Sequence, residues 1–252
     1  MSWLTDAHIH LSDSEFKPEW QFILVAMDKM RIKACCVSMD YQSSNATLEL
    51  GTKSPLVLPF LGIHPEKAGN EELEPVLDLI MKNSNKISGI GEIGLDRTYV
   101  SDENGFNRQV DVFEKMLSLA EKLKKPVSIH SRKTLEEIFS ILPSYHIDGV
   151  LLHWFAGNKK QLQKAMDLGC YVSYGPAMVY SQDKQILLTQ TEPSKILLET
   201  DGPVKFSKCF GYKTTQITFL PSVLFCASQI LGKRYDETLE AIEKNMNSYL
   251  GV

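Results

Sequence analysis

Asp6, His8 and His10 occupy every second position of an otherwise apolar run, "TDAHIHLSD" (Thr5–Asp13). Side chains alternate between the two faces of a strand, so a strand here sets a carboxylate and two imidazoles against Ala7, Ile9 and Leu11. Burying such a set is costly unless something pairs with it. A divalent cation is one such partner, because His and Asp are common ligands. A solvated strand face is the other reading of an isolated His-x-His, so the rest of the chain must decide.

The remaining histidines are placed unevenly. His64, His130 and His153, like His8 and His10, stand at or near the C-terminal end of a strand-like run, whereas His146 falls in a loop and takes no role. Two acidic residues join them, Glu92 in "GIGEIGLD" and Asp201 in "LLETDGP". Histidines that merely satisfy a core have no reason to gather at strand ends, so this placement favours a metal site. Four imidazoles (His8, His10, His130, His153) and two carboxylates exceed one tetrahedral shell and suit two ions sharing a bridge. Glu92, central in chain order, is the expected bridge. His8, His10 and Asp201 complete one shell, and His130 and His153 the other. Local positive charge then favours an anionic substrate.

The elements that must position these residues are eight strand-like runs. They are Trp3–His10, Lys33–Met39, Leu56–His64, Ile87–Gly94, Pro126–His130, Gly149–Phe155, Cys170–Gly175 and Lys195–Asp201. Between them lie amphipathic helical patterns such as "EELEPVLDLIMKN", "FNRQVDVFEKMLSLAEKLKK" and "NKKQLQKAMDLG", the last with Gly169 as its expected C-cap. Two more follow the eighth strand, near Thr215–Leu231 and Asp236–Leu250. Eight strands alternating with helices predict an α/β fold, a (β/α)8 TIM-like barrel with its site at the strand C-termini. A doubly wound open sheet competes, but the chain lacks a Gly-rich phosphate loop after an early strand. No linker or repeat divides residues 1–252, so a single domain is expected.

The chain of 252 residues has 43% hydrophobic and 23% charged residues and a net charge of -4. That charge argues against a broad basic nucleic-acid surface and leaves room for a small phosphate-gripping site. The five cysteines, without a CxxC pair, read as reduced thiols. Neither a membrane span nor a signal-peptide pattern is evident, so a cytoplasmic protein is expected. No protein partner is evident.

Six motifs in order, "DAHIHL" (6–11), "GIHP" (62–65), "GEIGLD" (91–96), "PVSIHSR" (126–132), "LLHWFAG" (151–157) and "LLETDGP" (197–203), resemble the TatD-related metal-dependent deoxyribonucleases. The resemblance implies an amidohydrolase-like barrel, a metal-dependent hydrolase of ester bonds with DNA as substrate. It places metal ligands at His8, His10, Glu92, His130, His153 and Asp201, as the strand-end reading does. Two divalent ions are implied, Zn, Mn, Ni, Fe or, less readily, Mg.

The expected reaction is phosphodiester hydrolysis, exonuclease-like, at DNA ends or single strands. Cations lower the pKa of a water and polarise a phosphate oxygen. Asp201 accepts the proton, Glu92 bridges, Arg132 stabilises developing charge, and His64 assists at the phosphate or bonds the loop. Asp6 is expected to orient a ligand histidine or nearby backbone, Asp96 to fix the loop after Glu92, and Glu199 to point inward toward a buried partner. Trp154 reads as packed on the barrel exterior, with base stacking as its other role. The chain departs from the family at Trp154, where many members carry Cys, and at Val204–Pro221, where an Arg-Gly-x-x-Asn-x-Pro pattern is absent. The rivals are an amidase, imidase or lactonase on the same barrel, which often uses a carboxylated Lys where Glu92 stands, and a non-catalytic metal-binding scaffold.

Overall fold

In the computed structural model, which describes residues 2–252, eight strands form one parallel sheet in chain order. They are β1 (Leu4–Ile9), β2 (Ile32–Val37), β3 (Val57–Leu61), β4 (Gly89–Asp96), β5 (Val127–Arg132), β6 (Val150–Leu152), β7 (Tyr171–Tyr174) and β8 (Ile196–Leu198). Their β-branched and leucine-rich runs suit strands covered on both faces; β1 and β4 are buried along their whole length. The intervening helices are α1 (Trp20–Met30), α2 (Tyr41–Lys53), α3 (Leu73–Lys82), α4 (Glu103–Leu123), α5 (Leu135–Ile141), α6 (Lys159–Asp167), α7 (Ala177–Tyr180) and α8 (Gln182–Gln190). After β8 come α9 (Leu220–Ile230) and α10 (Tyr235–Leu250). The chain is a (β/α)8 TIM-like barrel.

Helix ends follow local chemistry. Asp40 accepts the Ser43 amide and begins α2, and Asn158 with Gln161 forms a reciprocal cap on α6. Gly169, at φ 71, follows α6 and turns the chain toward β7, as the sequence predicts. The main apolar core includes Ile9, Ile90, Ile129 and Val172 from the strands and Met27, Val76 and Met116 from the helices. A smaller core joins Ala7, Phe60, Leu151 and Leu197 to Met246 and Tyr249 of α10. Tyr249 Oη donates to the Val127 carbonyl (3.1 Å), so α10 packs where β5 begins, opposite the strand C-termini.

The barrel closes at the seam between β8 and β1 by a different device from the other ladders. Asp6 accepts the Thr200 amide (3.0 Å), the Thr200 hydroxyl (2.5 Å) and the His8 amide (3.2 Å). Just beyond, the Asp201 amide donates to the His8 carbonyl (3.0 Å) and the His10 amide to the Gly202 carbonyl (2.9 Å). Asp6 thus takes the backbone role expected of it, and the seam ties the first motif directly to the last. Among the described residues no helix is long and apolar enough to cross a membrane.

Candidate active site

Two strand irregularities aim the central residues. Between Asp6 and Ile9, β1 advances three residues while β2 advances two, from Ala34 to Cys36. β4 does the same between Ile90 and Ile93, opposite Val127 and Ile129. Each bulge holds a site residue, His8 in one and Glu92 in the other, and such bulges re-aim side chains. Gly94, at φ 146, is required by its surroundings. A Cβ there would lie 2.1 Å from the His130 carbonyl oxygen, so only glycine lets β4 approach β5 at this point.

Glu92 lies at the centre and is almost wholly buried. Its Oε2 faces His10 Nε2 (3.2 Å) and His8 Nε2 (3.4 Å). Its Oε1 faces His153 Nε2 (2.8 Å), His130 Nδ1 (2.9 Å) and His64 Nε2 (3.4 Å). Asp201 Oδ1 stands 3.7 Å from His8 Nε2 and 3.8 Å from His10 Nε2. All the sequence-predicted ligands therefore meet, although they are far apart in the chain. His64, His153 and Asp201 lie beyond the ends of β3, β6 and β8, in the turns, and the sequence runs had placed them inside the strands. Across the division made by Glu92, His8 and His153 stack with centroids 3.7 Å apart, and ligand atoms of His8, His153 and Asp201 also cluster together.

The ring orientations follow from what lies behind them. His8 Nδ1 bonds Ser128 Oγ (2.8 Å), which leaves Nε2 pointing at the centre. His130 Nε2 bonds Asp96 Oδ2 (2.7 Å), leaving Nδ1 for Glu92. Asp96 Oδ1 accepts the Thr98 amide (2.7 Å) and hydroxyl (2.6 Å), so Asp96 fixes both the loop and His130. Glu199 accepts the Ser173 hydroxyl (2.5 Å) and the Trp154 amide (2.8 Å), and its Oε2 lies 3.8 Å from His153 Nδ1. His64 Nδ1 accepts the Glu66 amide (3.1 Å), which leaves the ring proton on Nε2. Ser128 and Ser173 were not read from the sequence. Ser128 carried a usable signal, two residues before His130 on one strand.

The electrostatics set buried carboxylates against buried imidazoles. Burial, then nearby Glu199 and Glu92, raises the Asp201 pKa well above the carboxylate range. Burial also pushes Glu199 up to about 8. At Glu92 burial acts upward, but surrounding imidazoles outweigh it and hold the carboxyl well below its ordinary value. At His130 burial acts downward and is outweighed by the bonds to Asp96 and Glu92, which raise it to about 9. Burial lowers His8 well below its usual value. Among the described residues, the ion-pair partners found for Glu92 and Asp201 are all imidazoles. His153 Nδ1 is buried without a hydrogen-bond partner. Imidazole and carboxylate donors converging in one buried cluster fit divalent cations. They fit poorly as a self-contained polar core.

The centre opens into a cavity of about 550 Å³ lined by His10, Tyr99, Arg132, Trp154 and Val204, among others. Arg132 is exposed at its rim. Trp154, at φ 41, is a correction to the sequence reading: it lines the cavity and packs on Phe206 (5.1 Å), off the barrel exterior. His146 is exposed and its Nδ1 faces Glu121 Oε1 (3.3 Å).

A barrel whose strand C-termini gather imidazoles and carboxylates beneath an open cavity has the form of a metal-dependent hydrolase. The family model for "TatD related DNase" matches residues 5–251, and the chain belongs to that family. Among its relatives is the human deoxyribonuclease TATDN3, 27% identical over 213 residues, 79% of this chain and 78% of that protein. An uncharacterized metal-dependent hydrolase of Methanocaldococcus jannaschii is 30% identical over 200 residues, 79% of this chain and 78% of that one. In fold the chain is similar to the crystal structure of YjjV, a TatD homologue from Escherichia coli, with a TM-score of 0.91 at 22% identity, covering 99% of this chain and 98% of that one.

Proposed function

We propose that this protein, as one hydrolase domain over residues 1–252, cleaves phosphodiester bonds of DNA at strand ends or in single strands. The observation that carries this reading is Glu92: one carboxylate oxygen faces His8 and His10, the other His130 and His153. That is the disposition of a carboxylate bridging two ions, and these five residues with Asp201 would hold them. Divalent cations bound there supply Lewis-acid polarisation of a phosphate oxygen and a water of lowered pKa.

The chain's own groups do the rest. Asp201, beside the paired histidines of β1, accepts the proton of the attacking water. His64, with its proton on Nε2, donates toward the phosphate or the leaving oxygen. Arg132 reaches from the rim to the phosphate, where its planar fork suits two oxygens. The cavity, about 550 Å³, lies within the range of small-ligand sites. A cavity of that size suits a strand end or an unpaired segment better than a base-paired one, which supports exonuclease-like action.

The test is trimming of an end-labelled single-stranded oligonucleotide by chelator-stripped protein, with and without Mn, Zn or Mg, beside an Asp201→Asn control. Metal-restored trimming that Asp201→Asn abolishes is the expected result. Absence of turnover by protein that has bound its cations overturns the substrate assignment.

A further inference from the structure

The segment after β8 is locally basic in a mainly acidic chain. From Val204 to Pro221 it carries Lys205, Lys208 and Lys213 and not one acidic residue, in a protein of net charge -4. Its root lines the catalytic cavity through Pro203 and Val204. From there it rises as a narrow loop, with Lys205 bridged to Thr214 and the Thr215 amide donating to the Val204 carbonyl (3.2 Å). Glu15 clips both sides of its base, accepting the Thr214 hydroxyl (2.8 Å) and pairing with Lys205 (3.7 Å). Lys205 is therefore paired with a carboxylate, whereas Lys208 and Lys213 are exposed and have no carboxylate partner found within ion-pair distance among the described residues.

The aromatic residues of the loop divide into anchors and one free ring. Phe206 is buried against Trp154, and Phe210 stacks on Phe219 with centroids 4.3 Å apart. Tyr212 does neither and is 61% exposed. Phe210, Gly211 and Tyr212 have successive φ values of 53, 65 and 58, a left-handed run that bulky residues rarely adopt. Phe210 is held inside this run while Tyr212 is turned outward. The loop leans on the neighbouring rim, where Lys208 Nζ lies 6.0 Å from the Tyr180 ring.

Exposed lysines beside an outward aromatic ring, continuous with a phosphodiester-cleaving cavity, are the elements of single-strand binding: cations track phosphates and rings stack bases. We propose that Lys208, Lys213 and Tyr212 form a lip that holds the single strand flanking the scissile phosphate, and that this lip makes the enzyme prefer polynucleotides to small diesters. The proposal rests on the phosphodiesterase reading above. A protein partner would find a surface too small and too charged on this loop to form the apolar core of an interface.

The test compares metal-loaded wild type, Lys208→Gln/Lys213→Gln and Tyr212→Ala on a single-stranded oligonucleotide and on bis(p-nitrophenyl) phosphate, across a range of salt. The wild type is expected to favour the oligonucleotide, with a salt dependence that the double lysine variant weakens by about 1.4 in logarithmic slope, about 0.7 per lost contact. Tyr212→Ala is expected to raise KM for the oligonucleotide about tenfold, the effect of one lost base stack. In both variants the ratio of oligonucleotide to diester kcat/KM falls. If that ratio and the salt slope stay at wild-type values, or both substrates lose activity equally, the lip is overturned. If the wild type cleaves neither substrate, the phosphodiesterase reading itself has failed.

Discussion

Replacing Asp6 tests whether the barrel is closed by a side chain. Asp6 is fully buried and accepts three donors across the seam, the Thr200 amide and hydroxyl and the His8 amide. Asp6→Ala leaves all three buried without a partner, at about 1–3 kcal/mol each, so at least about 3 kcal/mol is lost. A chain of this size loses about 2–4 °C of melting temperature per kcal/mol, which gives a fall of roughly 6–12 °C by calorimetry or circular dichroism. Activity should fall too, because Asp201 is placed by its own bond to the His8 carbonyl.

Asp6→Asn separates charge from geometry. Asparagine keeps an oxygen for the amides and can turn its NH2 to the Thr200 hydroxyl oxygen. Burial raises the Asp6 pKa from 3.8 to about 7. Between those values the folded chain keeps a proton that the unfolded chain releases, so this group stabilises the fold below about pH 4. That contribution is lost as pH rises toward 7, at up to about 1.4 kcal/mol per pH unit. Asp6→Asn should therefore gain on wild type across that window and cost little at neutral pH. Melting of Asp6→Ala within about 2 °C of wild type, or a flat difference between wild type and Asp6→Asn, would refute the argument.

Asp96→Asn removes the carboxylate behind His130 Nε2, and should weaken metal binding or activity by about 10- to 100-fold, measured by competition with a chelating dye. A wild-type affinity in that variant would show that Asp96 serves only the Thr98 loop. Gly94→Ala forces a Cβ against the His130 carbonyl, so it should lower both the melting temperature and the metal affinity. A variant with wild-type melting would mean that β4 and β5 separate at no cost.

The alternation of Asp6, His8 and His10, and the recurrence of His and acidic residues at strand ends, were enough to predict the barrel and the gathering of these groups at one mouth. Those features are local: a period of two and a turn after each strand are properties of short segments, and eight such units leave few ways to close a sheet. Glu199 was legible as inward-pointing by the same parity, and Asp96 as a loop holder. The chain could not reveal that Asp6 would bind backbone across the seam, because its partner Thr200 lies in the last strand turn. Nor could it reveal that His153 stacks on His8, or that Trp154 turns into the cavity onto Phe206. The two bulges that aim His8 and Glu92 depend on pairing with a neighbouring strand, and have no signature within the strand itself. Residue types and their period are written in the chain, so the sequence determined which groups would gather at the strand ends. Which atom of each group faces which partner depends on contacts between segments distant in sequence, and only the closed barrel decided it.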